Sequence, residues 1–284
     1  LTNDGKVYIL AGGFADNSFT KKPGTFNYYF YNYNHTSDEL IPVKLDAGDH
    51  FLTNLGLTTS SDGKSPLLAG LYSDKNTLKV QGVASFNMGS AGILEGHFTP
   101  LDDGLLKTLY EDAGTDKDQA DEYDVRYIFP ESNGDVTFFA EHYSRKLGVG
   151  VDVSLFRGVE PKPQLEDHYG NIVVARVSRD GSPVWTNIIE KQQKSTDENI
   201  MFNSFAVAKK DDAYGLVFND QVKNMSDVVW VTINNDGSKD RKLIFERTKD
   251  RLRVAPMLAG DDHSGDLFLP AVRFSKTKLV RIKF

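Results

Sequence analysis

The chain contains no cysteine. Disulfides, thiolate metal sites, thiol nucleophiles and covalent haem attachment are therefore all excluded. Long apolar runs are also absent, because the longest, such as those in NIVVARV and DVVWVTI, fall far short of the roughly 20 residues that a membrane-spanning helix needs. We therefore expect no membrane span.

An excess of basic residues is missing as well. The formal net charge is −7 and the isoelectric point is near 5.4, whereas a general nucleic-acid binder needs a basic face that displaces phosphate counterions. The only local basic run, RTKDRLR at 247–253, is typical of a solvated connection. We expect no nucleic-acid partner.

The familiar catalytic motifs are absent too. The chain has no Gly-x-Ser-x-Gly elbow, no phosphate-binding glycine-rich loop and no Gly-x-Gly-x-x-Gly, and its six histidines show no His-Glu-x-x-His spacing. The acidic segment with Asp112, Asp116, Asp118 and Asp121 lacks the glycine and terminal glutamate of a calcium-binding EF-hand loop. The sequence therefore predicts no metal, no cofactor and no catalytic residue.

What the chain does contain is short strand-forming runs separated by tight turns. NIVVARVS, RDGS and PVWTNIIE at 171–190 form the clearest example, a predicted hairpin around Asp180-Gly181. The same kind of turn, which needs a residue that tolerates positive φ, is expected at five further places. These are Asp4-Gly5, Asp62-Gly63, Asn133-Gly134, Asp236-Gly237 and Ser264-Gly265. Only LLKTLYEDA, within 102–122, suggests a short helix.

The rhythm of strands and turns repeats about five times. The repeat units lie near 1–48, 49–101, 121–190, 199–247 and 252–284. Four short strands per unit with almost no helix favour an all-β fold, a β-propeller of about five four-stranded blades in a single domain, 1–284. The segment 145–170 is interpreted as a long insertion, which could hide strands of a sixth blade. A large meandering β-sandwich would give similar strand spacing and stays open as an alternative.

Three stretches resemble known proteins. DGSPVW at 180–185 is similar to the Gly-x-x-x-Trp motif of quinoprotein-like propeller repeats, which implies that Gly181 and Trp185 dock one blade on the next. WTNIIEKQQ at 185–193 and FND at 218–220 resemble signatures of uncharacterised bacterial envelope or secreted propeller proteins. That resemblance implies a propeller fold in an extracytoplasmic protein of the periplasm, cell surface or secreted fraction, and it implies no activity.

In a propeller, tight turns and long links leave opposite faces of the ring. The long links are the usual place for binding, because loops on a rigid scaffold tolerate the side chains that recognition needs. An aromatic residue followed by a carboxylate or amide recurs where strands run into these links. The candidate ligand-binding residues are Asp16, Asn17, Asp74, His142, Tyr143, Lys191, Gln193, Asn219, Asp220 and Asn224. Strand-ending Asx turns would explain the same pattern without any ligand.

Three functions are compatible with this pattern. The leading hypothesis is a non-enzymatic scaffold that presents its long-loop face to a protein or glycan partner. The alternative is a polysaccharide hydrolase or lyase, with Asp16, Asp74 and Asp220 as carboxylates at the channel mouth, two of them roughly 5–10 Å apart. A purely architectural repeat within a longer chain is the third.

Overall fold

The structure is a computed structural model, which describes residues 2, 5–14, 24–34, 38–74, 79–89, 94–111, 123–154, 158–221, 226–262, 264–274 and 276–284. Strands dominate these residues, and they form antiparallel sheets of three to five strands. The expected all-β class is therefore confirmed. None of the helices in these ranges is both long and apolar enough to cross a membrane.

The first two sheets are simple meanders. Sheet A has the order β1 (Val7–Phe14), β2 (Phe26–Asn34) and β3 (Glu39–Lys44). Sheet B has the order β4 (His50–Thr59), β5 (Pro66–Asp74), β6 (Val80–Met88) and β7 (Leu94–Pro100). Helix α1 (Asp103–Glu111) follows, as the sequence predicted, and Asp102 caps it by accepting a 2.9 Å hydrogen bond from the N–H of Leu105.

The other three sheets complete the chain. Sheet C consists of β8 (Tyr123–Pro130), β9 (Val136–Ser154), β10 (Gly158–Val177) and β11 (Pro183–Ile189), with β12 (Gln193–Thr196) also paired to β10. Sheet D consists of β13 (Ala206–Lys210), β14 (Ala213–Asn219), β15 (Val228–Ile233) and β16 (Lys239–Phe245). Sheet E consists of β17 (Leu252–Val254), β18 (Gly260–Asp261), β19 (Leu267–Arg273) and β20 (Lys276–Ile282).

The chain divides into two compact units. Unit 1 comprises Leu1–His142 and Ile172–Ile189, and unit 2 comprises Tyr143–Asn171 and Glu190–Phe284. The expectation of a single domain stays a prediction.

Sheet B is the centre of unit 1. One of its faces packs on sheet A through a cluster that includes Phe30, Leu68 and Phe86. Its other face packs on the unit 1 part of sheet C through a cluster that includes Leu71 and Phe138. Because both faces are covered, almost every residue of β5 is buried, which explains its continuous apolar run PLLAGLY.

Unit 2 has its own core between sheets D and E. Val217 and Trp230 of sheet D pack with Leu267 and Leu269 of sheet E. The Trp230 ring covers Gly215 of the neighbouring strand, where a Cβ would come within 2.0 Å of the indole carbons. Gly215 thus makes room for the largest side chain of this core.

The tight turns form as predicted. All six turn glycines have positive φ: Gly5, Gly63, Gly134, Gly181, Gly237 and Gly265. In three turns the aspartate before the glycine accepts a hydrogen bond from the backbone N–H two residues further on, at 3.1, 3.0 and 2.8 Å for Asp62, Asp180 and Asp236. Local side-chain chemistry therefore closes these hairpins.

Three segments differ from the sequence-based expectation. Residues 145–170 are not a separate insertion, because they extend β9 and β10 to 19 and 20 residues within sheet C. The expected polar link at 190–199 contains strand β12 and the start of a 3-10 helix, Asp197–Phe202. The expected strand at 253–260 breaks after β17 into a 3-10 helix, Pro256–Leu258, because Pro256 lacks the N–H that a continuing ladder needs.

Candidate functional site

Three of the predicted site residues meet in the interior of unit 2. Lys191, Gln193 and Asn219 form, with Ser204, a buried hydrogen-bonded group that we call the Gln193 network. Lys191 Nζ donates to Gln193 Oε1 at 2.8 Å, and Gln193 Nε2 donates to the backbone carbonyl of Asn219 at 2.6 Å. Gln193 Oε1 also accepts a 2.7 Å hydrogen bond from the N–H of Ser204.

Asn219 extends the network to other segments of unit 2. Its Nδ2 donates to the carbonyls of Phe202 and Val254, at 2.7 Å each, and its Oδ1 accepts from the N–H of Val254 at 3.1 Å. The Asn219 side chain therefore bonds to backbone groups of Phe202 and Val254 in the way that a neighbouring strand would. Ser204 is held at φ 63°, a conformation that costs free energy and persists because the surrounding bonds determine it. Lys191, Gln193 and Asn219 are buried and their hydrogen bonds join segments of unit 2. Their expected role in ligand binding stays a prediction.

The unit 2 part of the β9–β10 hairpin, residues 143–171, forms what we call the arm. Near its base, Asp167 is fully buried and accepts hydrogen bonds from Tyr143 Oη at 2.8 Å, Arg145 Nε at 2.7 Å and Arg145 Nη2 at 3.3 Å. Burial by itself would raise the pKa of Asp167, but the hydrogen bonds from Arg145 and Tyr143 outweigh it, and the pKa lies below its usual value. Burial, together with the bond to Asp167, raises the pKa of Tyr143.

The opposite face of the arm carries a second group of charges. Glu166 Oε2 forms a 2.7 Å ion pair with Lys194 Nζ and lies 3.6 Å from His168 Nε2. Burial and the nearby Lys194 lower the pKa of His168, although Glu166 partly counteracts them. Gly148 lies against Glu166, since a Cβ there would come within 2.4 Å of Glu166 Cδ. On this face the ion pair joins β10 to β12, and Glu166 lies over Gly148 of β9.

Asp220 lies at the surface of unit 2 beside the Gln193 network. Its Oδ1 pairs with Arg241 Nη2 at 2.7 Å, and Arg241 Nη1 donates to the carbonyl of Glu190 at 2.8 Å. The guanidinium also lies 5.3 Å from the ring centre of Phe218. Asp220 therefore holds Arg241 in a fixed position.

The remaining predicted site residues lie elsewhere or cannot be described. Asp74 ends β5 opposite His50, and the His142 ring contacts Tyr123 at a centroid distance of 5.4 Å; all of these belong to unit 1. Asp16, Asn17 and Asn224 lie outside the described residues. Because Asp74 belongs to unit 1 and Asp220 to unit 2, the pairing of carboxylates that the hydrolase alternative requires stays a hypothesis.

The predicted docking pair lies in unit 1. A Cβ at Gly181 would come within 2.2 Å of His97 Cγ on β7, so the turn between β10 and β11 touches the edge of sheet B. Trp185 is half-buried on β11 opposite Arg176. The docking role of the pair stays a prediction.

Sequence reasoning missed several buried charges. Arg176, Glu131, Asp135 and Asp167 are all buried, yet in sequence they look like ordinary polar positions at strand ends or within strands. The one available signal was Arg176 in the middle of the apolar run IVVARV, where a charge needs a partner. Within the described residues no three His, Asp or Glu side chains are grouped in a way that could hold a metal ion.

Comparisons with known proteins add little. No protein-family model and no curated protein matches the chain. A crystal structure of a protein from Lactobacillus plantarum aligns over 98% of this chain and 82% of its own, at 12% identity and a TM-score of 0.29. A likeness at that TM-score carries no argument about fold or function.

Proposed function

We propose that this protein is a non-enzymatic β-propeller scaffold that binds a protein partner through an apolar patch on the arm. The propeller form is supported by the packing of unit 1, where sheet B lies between sheet A and part of sheet C. Consecutive four-stranded antiparallel meanders that cover each other face to face are the building plan of propeller blades. The extracytoplasmic location that the sequence resemblance implies is part of this proposal.

The single observation behind the binding role is an apolar patch that the arm exposes. Leu147 is 74% exposed, Val149 is 76% exposed and Leu165 is 41% exposed. Successive side chains of a strand alternate between its faces, so Leu147 and Val149 share the face of Tyr143 and Arg145, and Leu165 shares the face of Asp167. Since Tyr143 and Arg145 bond to Asp167, the three aliphatic side chains belong to one face. We call them the arm patch.

The energetics of a two-stranded ribbon support this assignment. An isolated hairpin is marginally stable in water, and the described contacts near the base of the arm include the Arg145–Asp167 hydrogen bond and the Glu166–Lys194 ion pair. Exposed aliphatic residues on one face gain stability only when another surface covers them. The arrangement of a fixed base and an apolar patch beyond it suits binding to an apolar groove of another protein.

Site-specific photocrosslinking tests the proposal. A photoreactive phenylalanine analogue placed at 147 or 149 should yield one discrete crosslinked protein in extracts of the source cells. The matched control is the same analogue at Val184, a 53% exposed strand residue of unit 1. Unlabelled intact protein should abolish the crosslink, whereas a competitor carrying Leu147→Asp and Val149→Asp should not.

Other results would contradict the proposal. An equally strong band from position 184, or competition by the doubly substituted protein, would show that the arm patch does not select the partner. No discrete crosslink from either arm position would remove the basis for a protein partner.

A further inference from the structure

A second candidate binding site lies among the tight turns of unit 1, to which the sequence pattern assigns no function. The β4–β5 turn, the β8–β9 turn and the β10–β11 turn surround a cleft of about 260 Å³. Its lining residues are Ser60, Ser61, Asp62, Ser65, Pro66, Leu67, Asn87, Met88, Ser132, Asn133, Gly134 and Arg179. Ligand pockets for drug-sized molecules are mostly larger, about 300–1,000 Å³, so this cleft suits a single small ring.

Some of these polar groups are already used by the fold. Ser60 donates to Asp62, the Asn133 side chain bonds to Asp135, and Asn87 Nδ2 donates to the carbonyl of Arg179 at 2.6 Å. The last bond joins β6 to the β10–β11 turn and holds the backbone of Arg179 in position. The walls of the cleft are therefore set by bonds within unit 1.

Four other donors at the cleft are unengaged. Among the described residues, no hydrogen bond or ion pair involves the hydroxyls of Ser61, Ser65 and Ser132 or the guanidinium of Arg179. The aliphatic part of Arg179 lies against Gly134, since a Cβ there would be 3.6 Å from Arg179 Cδ. The cleft thus presents one cation and three hydroxyls.

Charge and shape narrow the choice of ligand. Asp62 lines the same cleft, and hydrogen bonds from Ser60 and the Lys64 N–H lower its pKa, so it is ionised at neutral pH. A carboxylate at the rim repels a doubly charged phosphate more strongly than a ligand with a single carboxylate, whose charge can face Arg179. Met88, which is half-buried, supplies an apolar surface at the same place, and a sugar ring can cover it.

We propose that this cleft binds one uronic acid residue of an acidic glycan. Arg179 pairs with its carboxylate, the serine hydroxyls bond to ring hydroxyls, and the ring lies on the apolar surface. A guanidinium suits this role because its planar donors match a carboxylate in a bidentate pair. The proposal is independent of the arm patch, because the two share no residue.

Titration calorimetry of the intact protein with sodium glucuronate and sodium galacturonate tests this inference. At least one of the two should bind, with glucose and inorganic phosphate binding at least tenfold more weakly. Arg179→Gln should weaken uronate binding by about ten- to hundredfold, because it removes a charged hydrogen-bonded pair. The matched control is Arg273→Gln, an exposed arginine of β19, which should leave binding unchanged.

The melting temperature of each variant distinguishes loss of binding from loss of fold. Ser132→Ala offers a second, smaller perturbation and should weaken uronate binding several-fold. Absence of uronate binding, equal binding of glucose, tighter binding of phosphate, or full retention of binding in a folded Arg179→Gln protein would each overturn the proposal. None of these outcomes bears on the crosslinking test of the arm.

Discussion

Arg176 and Asp135 form an ion pair in the interior of unit 1, with Arg176 Nε 3.1 Å from Asp135 Oδ2. Arg176 Nη2 also lies 3.8 Å from Glu131 Oε2, and Thr137 Oγ1 donates to the other oxygen of Glu131. All four side chains are buried. One arginine of β10 therefore faces two carboxylates that flank the β8–β9 turn.

We predict that Arg176→Ala lowers the free energy of unfolding by about 3–5 kcal/mol, since it leaves buried carboxylates without their cation. Urea unfolding followed by far-UV circular dichroism measures the change. Arg179→Ala, three residues further on at an exposed position, is the matched control and should change the free energy by less than about 0.5 kcal/mol. Similar effects from the two substitutions would contradict the role given to the buried pair.

The Gln193 network gives a second prediction. Gln193→Ala deprives the Asn219 carbonyl of a donor, and it removes the acceptor of both the Ser204 N–H and Lys191 Nζ. A lost hydrogen bond between neutral groups costs about 0.5–1.5 kcal/mol and one to a charged group about 1.5–3 kcal/mol, so we expect a loss of about 3 kcal/mol in the free energy of unfolding. Urea unfolding measures it.

The neighbouring residue provides the control for that experiment. Gln192 is exposed, and Gln192→Ala should be within about 0.5 kcal/mol of the unsubstituted protein. If Gln193→Ala were equally mild, the network would not hold β12 in place. The buried hydrogen bonds would then be a consequence of the fold instead of a cause.

The turns were predictable because their requirement is local. An Asp-Gly pair supplies a residue that tolerates positive φ and a side chain that bonds the next backbone N–H, and both are visible in a few consecutive letters. The strands β2 and β5 were likewise predictable, since their apolar patterns report which faces are covered.

The arm and the Gln193 network were not predictable in the same way. Residues 145–170 carry many charges and two prolines, which argue against strands by composition. The bond from Arg145 to Asp167 joins the two strands of this hairpin, and the pair of Glu166 with Lys194 joins it to β12; the partners of both contacts are distant in sequence. Polar residues at 191–195 looked solvated, because a hydrophobic pattern cannot distinguish a buried, fully bonded glutamine from an exposed one.

The close approach of Gly181 to His97 gives a third prediction. Gly181→Ala both forces an L residue to φ 90° and brings Cβ within 2.2 Å of His97 Cγ. Gly48→Ala has the backbone penalty alone, at φ 55°, because nothing lies within 4 Å of its Cβ position. We expect Gly181→Ala to be the more destabilising by at least about 2 kcal/mol in urea unfolding, a size typical of overpacking.

A result in which the two glycine substitutions are equally destabilising would show that the turn can move away from sheet B. The Gly181 contact would then contribute nothing beyond the conformation of the turn. His97→Ala combined with Gly181→Ala refines the test, since removing the imidazole should recover the part of the loss that comes from the clash.

Titration of His168 gives the last prediction. Burial and the cation of Lys194 lower its pKa below the ordinary 6.5, which means that the folded protein resists protonation of this ring. The unfolded chain takes up the proton as pH falls below about 6.5, whereas the folded protein does so only at lower pH. Stability from this group is therefore present above the unfolded pKa, and it is lost as pH falls toward the folded pKa. The pKa of Asp167 is also lowered, so its protonation changes the stability only below about pH 4 and does not affect the range in which His168 titrates.

Proton NMR of the imidazole measures the pKa of His168, and urea unfolding at several pH values measures the resulting change in stability. The His168 resonance should titrate below pH 6.5, and the urea midpoint should fall between about pH 6.5 and pH 5 by less in His168→Gln than in the unsubstituted protein. Lys194→Met should raise the pKa of His168, since it removes a cation that opposes protonation. A His168 pKa at or above 6.5 would mean that Glu166 dominates the ring, and a pKa that falls in Lys194→Met would mean that Lys194 does not oppose protonation. Either result would contradict the finding that burial and Lys194 together lower the pKa of His168 by more than Glu166 raises it.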